Sequence, residues 1–314
     1  KARAIVMALG KLQYKPAESY LKQQLHSTAE PTRAAAILAL GRIGSESSIP
    51  QLTQILDSDF VKGRENAKEA LLTIAKPGTA NPMLPLLRSN RDETRYYAAE
   101  IAGRLPAKDT GEKLLSMFNE NDKISSAPAA TALGYMKYEP ARPAIEKRLS
   151  DKSSPERERL AQSLGWIGNQ KSIQPLITVL RESDGEGRYG AAWSLGILEA
   201  KEALPDLEKA AKSSDSRLAS LAIEAIGAIA DPSSLPLLVS RANDASLQVY
   251  AIDAIGRIGT TEAITELQKL ATGRNEKTQA LAVQSLGNMS SLKNNQTLTD
   301  QAVDALIATL RQTS

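Results

Sequence analysis

The chain has 314 residues, with 39 basic and 36 acidic side chains and a net charge near +3. That balance does not favour a dedicated nucleic-acid binder, and the absence of cysteine excludes disulfides, thiol catalysis and Cys-ligated zinc. No run of about 18 apolar residues occurs, so no transmembrane helix is expected; the aromatic content of 4% is thin for a globular core but suits helices packed through Ala and Leu.

A short phrase recurs along the whole chain, built on Gly10, Gly41, Leu72, Gly103, Gly134, Gly165, Gly196, Gly227, Gly256 and Gly287. Each step between these anchors is 31 residues, except the 29 from Gly227 to Gly256. A fixed period of this size predicts a solenoid, in which each repeat buries its apolar face only against its neighbours. The expected architecture is all-α: a right-handed α–α superhelical solenoid of about ten two-helix repeats. It runs as one array over residues 1–314, with 299–314 as a C-terminal capping helix.

The first repeat opens at Lys1-Ala2-Arg3, already inside a helical pattern and without an initiator Met. A fragment or processed form is expected, in which preceding residues would supply a helix to cover Ile5, Val6 and Leu9. No signal peptide is expected from the residues at the start of this sequence, and both a cytoplasmic and an exported location stay open. In the second repeat, with the anchor as position zero, Ala36, Ile37, Leu40 and Ile43 fall at −5, −4, −1 and +2. Ala222, Ile223, Ile226 and Ile229 repeat this in the eighth. The spacing is a helical stripe, here called helix B. Position −2 is small (Ala39, Ala70, Ala132, Ser194), which lets a neighbouring helix come close. Pro31 and Pro155 at −10 fit a first turn, and Asp92, Ser154, Asp184 and Asp215 read as N-caps. The anchor glycine serves either close packing or a C-terminal cap.

Between anchors lies helix A, with apolar residues at +11, +14 and +15, such as Leu52, Ile55, Leu56 and Leu114, Met117, Phe118. Pro50, Pro143, Pro205 and Pro236 at +9, with Ser48, Ser172 and Ser234 at +7, mark its first turn. The short step after Gly227 is expected to shorten the Asp231-Pro232 turn and leave both helices whole. Beyond Gly287, a polar connection from Ser290 to Thr299 (Lys293, Asn294, Asn295, Gln296) leads to the last helix. Thr299 or Asp300 would cap it, and Val303, Leu306, Ile307 and Leu310 would form its buried stripe.

The phrase Arg33-Ala34-Ala35-Ala36-Ile37-Leu38-Ala39-Leu40-Gly41-Arg42-Ile43, followed by Pro50, Leu52 and Leu56, resembles the short HEAT-like repeat of the phycobilisome-lyase type. The resemblance covers essentially the whole chain, with the third repeat the most degenerate. It implies that helix B lines the concave wall and helix A the outer wall. It also implies that the arginines at −8 (Arg33, Arg64, Arg95, Arg157, Arg188) knit repeats together. For function it implies anything from bilin attachment to plain scaffolding.

If −5, −4, −1 and +2 are buried, the free face of helix B is −7, −3 and +1. Both tryptophans, Trp166 and Trp193, fall there, with Tyr96, Glu100, Tyr135 and Tyr189. Large rings that avoid core registers suggest a binding groove, aromatic and acidic in its middle (Glu65, Glu69, Glu100, Glu158) and basic at its start (Arg3, Lys11, Arg42). The competing reading is that these rings only fill space between curved helices.

Catalytic and metal chemistry find little support. His26 is the sole histidine, which excludes common zinc sites and the HEAT-repeat di-iron hydroxylases. No nucleophile motif accompanies it. Glu65 with Glu69, and Asp57 with Asp59, read as solvated acids, and Gly185-Glu186-Gly187 lacks the strand that a phosphate loop needs. The leading expectation is a non-enzymatic scaffold that binds a protein or peptide in its groove, with no cofactor. The alternative is a bilin lyase or chaperone that handles a tetrapyrrole or its acceptor protein. DNA-backbone binding is disfavoured by the near-neutral charge.

Overall fold

The computed structural model describes residues 1–120, 122–154, 156–183, 185–289 and 295–313, with side chains through 311. Pro155 and Asp184, read above as helix-start signals, and Lys293 and Asn294 of the polar connection lie outside the described residues. Among the described residues there are twenty α-helices and no strand. None of these helices is long and apolar enough to cross a membrane.

The chain divides into two compact bodies, Lys1–Arg148 and Leu149–Ser314. In the first, B and A helices alternate as α1 (Ala2–Lys11), α2 (Glu18–Gln24), α3 (Glu30–Arg42), α4 (Ile49–Leu56), α5 (Val61–Ile74), α6 (Ala80–Met83), α7 (Asp92–Arg104), α8 (Thr110–Asn119), α9 (Ser126–Tyr135) and α10 (Arg142–Leu149). In the second the order continues with α11 (Arg157–Ile167), α12 (Ile173–Leu180), α13 (Gly187–Ile197), α14 (Leu204–Ala210), α15 (Ser216–Ile229), α16 (Leu235–Arg241), α17 (Gln248–Ile258), α18 (Thr261–Ala271), α19 (Glu276–Met289) and α20 (Gln296–Thr313). Within each body every B helix packs on the next, giving the helical solenoid that the period predicted. Ala36, Ile37, Leu40 and Ile43 are buried, as are Ala222, Ile223, Ile226 and Ile229.

The anchor glycine serves close packing. A Cβ on Gly10 would lie 2.8 Å from the Ala39 Cα, one on Gly41 2.7 Å from the Ala70 Cα, and one on Gly196 2.7 Å from the Ala225 Cα. The same contact, from position zero to the −2 residue of the next repeat, joins Gly227 to Ala254 and Gly165 to Ser194. Where −2 is serine its hydroxyl stays satisfied: Ser194 Oγ donates to the Ala161 carbonyl at 2.8 Å and Ser285 Oγ to that of Ile252 at 3.2 Å. Leu72 replaces the glycine in α5, and the packing of α5 on α7 is the sparsest of any consecutive B pair in either body.

The C-terminal cap lies three residues further on. Gln13, Ala75, Lys137, Glu199 and Ala230 have φ between 49° and 55° there, beside Gly44, Gly168 and Gly259. Lys137 N–H donates to the Gly134 carbonyl at 2.8 Å and Tyr138 N–H to that of Leu133 at 2.9 Å, and Glu199 and Ala200 repeat this on Gly196 and Leu195 at 3.0 Å. This is a Schellman closure.

Proline enters helix A in its first turn, at Pro50, Pro205 and Pro236. Short 3-10 turns precede these helices. In the third repeat Pro82 and Pro85 break helix A into α6 and a 3-10 segment, Leu84–Arg88.

Several local expectations are corrected. Asp215 does cap α15, accepting from the Arg217 and Leu218 amides at 3.1 Å. Asp92, however, is the first residue of α7 and pairs with Arg95, and Glu156 rather than Ser154 precedes α11. Asn295, not Thr299 or Asp300, caps α20 by accepting from the Leu298 amide at 3.2 Å. On α20 the buried face is Ala302, Ala305 and Thr309, while Val303, Ile307 and Leu310 are exposed. Small side chains let α20 lie close on α18 and α19, and that proximity outweighs the burial of the larger stripe. The missing two residues of the short step are not lost at Asp231-Pro232: the 3-10 turn Pro232–Ser234 and α16 stand at the same offsets from Gly227 as Lys201–Ala203 and α14 do from Gly196. The loss falls after α16, where helix B begins eight residues before its anchor in α17 against eleven in α15. A turn around Asp244, which accepts from the Ser246 amide at 3.0 Å, replaces the first helical turn.

Candidate functional site

Because the −5, −4, −1 and +2 positions are fixed in the core, −7, −3 and +1 point away from it, and most are half-buried or exposed. The fifth repeat departs from this. Ala127 and Thr131 are buried, and α9 is enclosed from Ser126 to Gly134.

In the first body, Tyr96 and Glu100 lie on α7 and Tyr135 on α9, all half-buried. Glu100 accepts from Lys68 Nζ at 3.3 Å and from Arg104 Nε at 3.1 Å. Lys68 also lies over the Tyr97 ring at 5.1 Å, and the Arg104 guanidinium over Tyr135 at 5.2 Å. The surface is therefore a chain of aromatic rings and cations linked through one carboxylate. The expected acidity is cancelled locally, since Glu65 likewise pairs with Lys62 at 2.6 Å.

In the second body, Trp166 on α11 and Trp193 on α13 meet edge to face, with ring centroids 5.5 Å apart. Their registers place them there: Trp166 is +1 of one repeat and Trp193 is −3 of the next, on adjacent B helices. Both are half-buried. Tyr189, one turn before Trp193, donates its hydroxyl to Asp215 Oδ2 at 2.8 Å and carries the Arg217 guanidinium 4.2 Å over its ring. The hydrogen bond to Asp215 raises the Tyr189 pKa. Burial acts to raise the Asp215 carboxyl, but the Leu218 and Arg217 amides and the Tyr189 hydroxyl leave it below its ordinary value. Arg217 also holds Glu158 at 2.7 Å.

Four of the five arginines at −8 are structural; Arg188 instead donates to the Gly185 carbonyl at 3.4 Å and lies 3.8 Å from Asp215. Arg33, Arg64 and Arg95 each donate to the carbonyl six residues earlier (Ser27, Ser58, Ser89) at 2.7–2.9 Å, closing the end of the preceding A segment. Arg157 donates to the Leu149 carbonyl at 2.9 Å and grips Glu182 bidentately at 2.6 and 2.8 Å, with side chains only 7% and 11% exposed. In the fifth repeat, where Ser126 stands at −8, Arg148 takes the Phe118 carbonyl instead at 2.7 Å. At the ninth anchor interval Gln279 does the same on Gly273 at 2.5 Å. Sequence reasoning missed the first substitute because Arg148 comes from another register, whereas Gln279 stands at −8 itself.

His26 is exposed just beyond α2. Among the described residues no group of three His, Cys, Asp or Glu is placed to hold a metal ion.

Models of known families match most of the chain. That of HEAT repeats covers residues 1–72, 111–196 and 173–249, and that of the PBS lyase HEAT-like repeat covers 247–272. Among curated proteins, the phycocyanobilin lyase subunit alpha of Picosynechococcus sp. is 32% identical over 123 residues, 38% of this chain and 39% of that protein. The bilin biosynthesis protein PecE of Nostoc sp. is 29% identical over 143 residues, 43% of this chain and 55% of that protein. The matches thus span about half or less of these relatives. Among solved structures, the complex of CpcE and CpcF of phycocyanin lyase from Nostoc sp. aligns with a TM-score of 0.47 at 21% identity, over 73% of this chain and 94% of that one. An engineered protein aligns with a TM-score of 0.42 at 22% identity, over 94% and 93%.

Proposed function

The chain belongs to the HEAT-repeat family, and from that premise we propose that it is a protein of the bilin-lyase or bilin-chaperone kind, whose B-helix face docks a tetrapyrrole or the protein that accepts it. The observation that carries the docking surface is the edge-to-face pair of Trp166 and Trp193, half-exposed beside Tyr189 and Arg217. Large rings held rigid at a solvent boundary bury much area at little entropic cost, which is how binding surfaces concentrate their energy. A conjugated tetrapyrrole offers a plane to stack on such rings and propionate carboxylates for cations like Arg188 and Arg217. The curated relatives support this choice of partner, as each is named for bilin chemistry. The chain holds no cysteine, so a thiol for covalent attachment would come from the acceptor.

Titration of the chain with free phycocyanobilin tests the reading. Binding should perturb the visible band of the pigment, and Trp166→Ala should weaken that change about tenfold. The same Trp pair also supports a plain protein-binding scaffold. That second reading gains if the band does not move while a bilin-free acceptor protein is still retained in a Trp166-dependent manner. If neither pigment nor acceptor binds, both readings fail.

A further inference from the structure

We propose that the groove across α13, α15, α17 and α19 receives an extended segment of a partner protein, with a lysine or arginine of that segment paired to Glu224. The inference rests on the reading of the B face as a docking surface and names the chemistry of what docks there.

Three adjoining concavities, of about 270, 240 and 290 Å³, follow one another along these helices. Glu224 lines the first two. Arg257, which shares the first concavity with Glu224, and Asp253, which shares the second, both continue into the third and neutralise each other at 2.7 Å. Glu224 makes no hydrogen bond or ion pair among the described residues, so its charge is left over. Glu224 is an exposed residue that lines two of the three concavities. Burial raises its pKa; Arg257 opposes that shift and Asp253 adds to it. A partly desolvated carboxylate with no bonded cation gains more from an incoming cation than a fully hydrated one does.

The walls narrow the choice of cation. Trp193 lines the same concavity as Glu224, and an aromatic ring near a carboxylate suits a cationic side chain. The rims carry exposed apolar side chains, Ile197 at 52%, Val249 at 46% and Tyr250 at 37%. An inorganic cation would leave these uncovered; a basic side chain flanked by apolar residues covers them. Four B helices at interaxial distances of about 9 Å span roughly 27 Å, which is about eight residues of extended chain at 3.3 Å each. A nucleic-acid strand would set further negative charge against Glu224.

The test is selection of a random octapeptide display library on the whole chain, followed by fluorescence anisotropy of the best peptide. One position should converge on Lys or Arg. Replacing that residue by norleucine should weaken binding about tenfold in the native chain and leave it nearly unchanged in Glu224→Gln. Glu224→Gln should melt as the native chain does, since no bond is lost. A consensus without a basic residue, a basic preference that survives Glu224→Gln, or no selected peptide at all overturns the proposal. If acceptor docking still depends on Trp166 in that case, only this inference falls; if it does not, the docking reading falls with it.

Discussion

Gly196 and Gly287 occupy the same position in the repeat, yet alanine should act on them with opposite sign. In a helix interior, replacing Gly by Ala is favourable by about 1 kcal/mol. At Gly287 a new Cβ meets nothing within 4 Å, so that gain should be kept. At Gly196 the Cβ would sit 2.7 Å from the Ala225 Cα and 2.9 Å from its Cβ. Backbone cannot swing aside like a side-chain tip, so α13 and α15 must part by close to an ångström along a packed seam. Overpacking of this kind costs about 1–3 kcal/mol, and two packed helices displaced together belong at the upper end. Net of the helix-propensity gain, Gly196→Ala should lose about 1–2 kcal/mol. Urea unfolding followed by circular dichroism at 222 nm reads both variants, and each should keep native helicity before its transition. If the two midpoints move in the same direction, close packing is not what the anchor glycine is for.

Three further outcomes follow from the same geometry. Lys137→Gly and Glu199→Gly remove side chains from left-handed backbone, and each should stabilise by about 1 kcal/mol in the same unfolding experiment. Arg157→Ala strands the largely buried Glu182 and should cost about 3–5 kcal/mol; Arg157 also holds the Glu182 carboxyl below its ordinary value of 4.5. The Glu182 contribution is then fully present above that value and is lost as pH falls below it, so the gap between native and Arg157→Ala midpoints should narrow on acidification. Replacing Trp166 and Trp193 together by Ala forfeits an edge-to-face contact worth about 0.5–1.5 kcal/mol plus partial burial, less than the roughly 3–5 kcal/mol of a buried aromatic. Acrylamide should quench both tryptophans in the native chain.

The stacking of helix pairs was legible because a 31-residue period and the −5, −4, −1, +2 stripe are set by packing that every repeat must satisfy. Features set by one local contact were not. The left-handed cap at +3 hides behind Gln13, Lys137 and Glu199, since the Schellman hydrogen bonds use backbone alone. The N-caps misread at Asp92 and Ser154 are weak signals where neighbouring helices already fix the start of helix B. The stripe on α20 failed because a stripe read from sequence does not say which of two apolar faces meets a partner, and there the small one does. Of the candidate surface, the register of Trp166, Trp193, Tyr189, Tyr96 and Tyr135 was readable, as was that of Glu100. The Arg104–Glu100 pair follows from i, i+4 spacing on α7, but that Lys68 also reaches Glu100 while no cation among the described residues is bonded to Glu224 was not readable, because cross-helix distances decide it.

The contact from an anchor glycine to the −2 residue of the next repeat defines what this gene can copy. A recombination that adds or drops a whole 31-residue piece, wherever its ends fall, rebuilds the same glycine-to-alanine seam at the junction. A single inserted residue between −2 and the anchor turns the rest of that helix by about 100° and carries the glycine off the seam. The 29-residue step escapes this penalty because its loss falls at the start of helix B, before Gln248, outside the stretch from −2 to zero that carries the contact. Length change in such an array is therefore quantised from −2 to the anchor and free only ahead of that stretch, in the first turn of helix B and the connection before it.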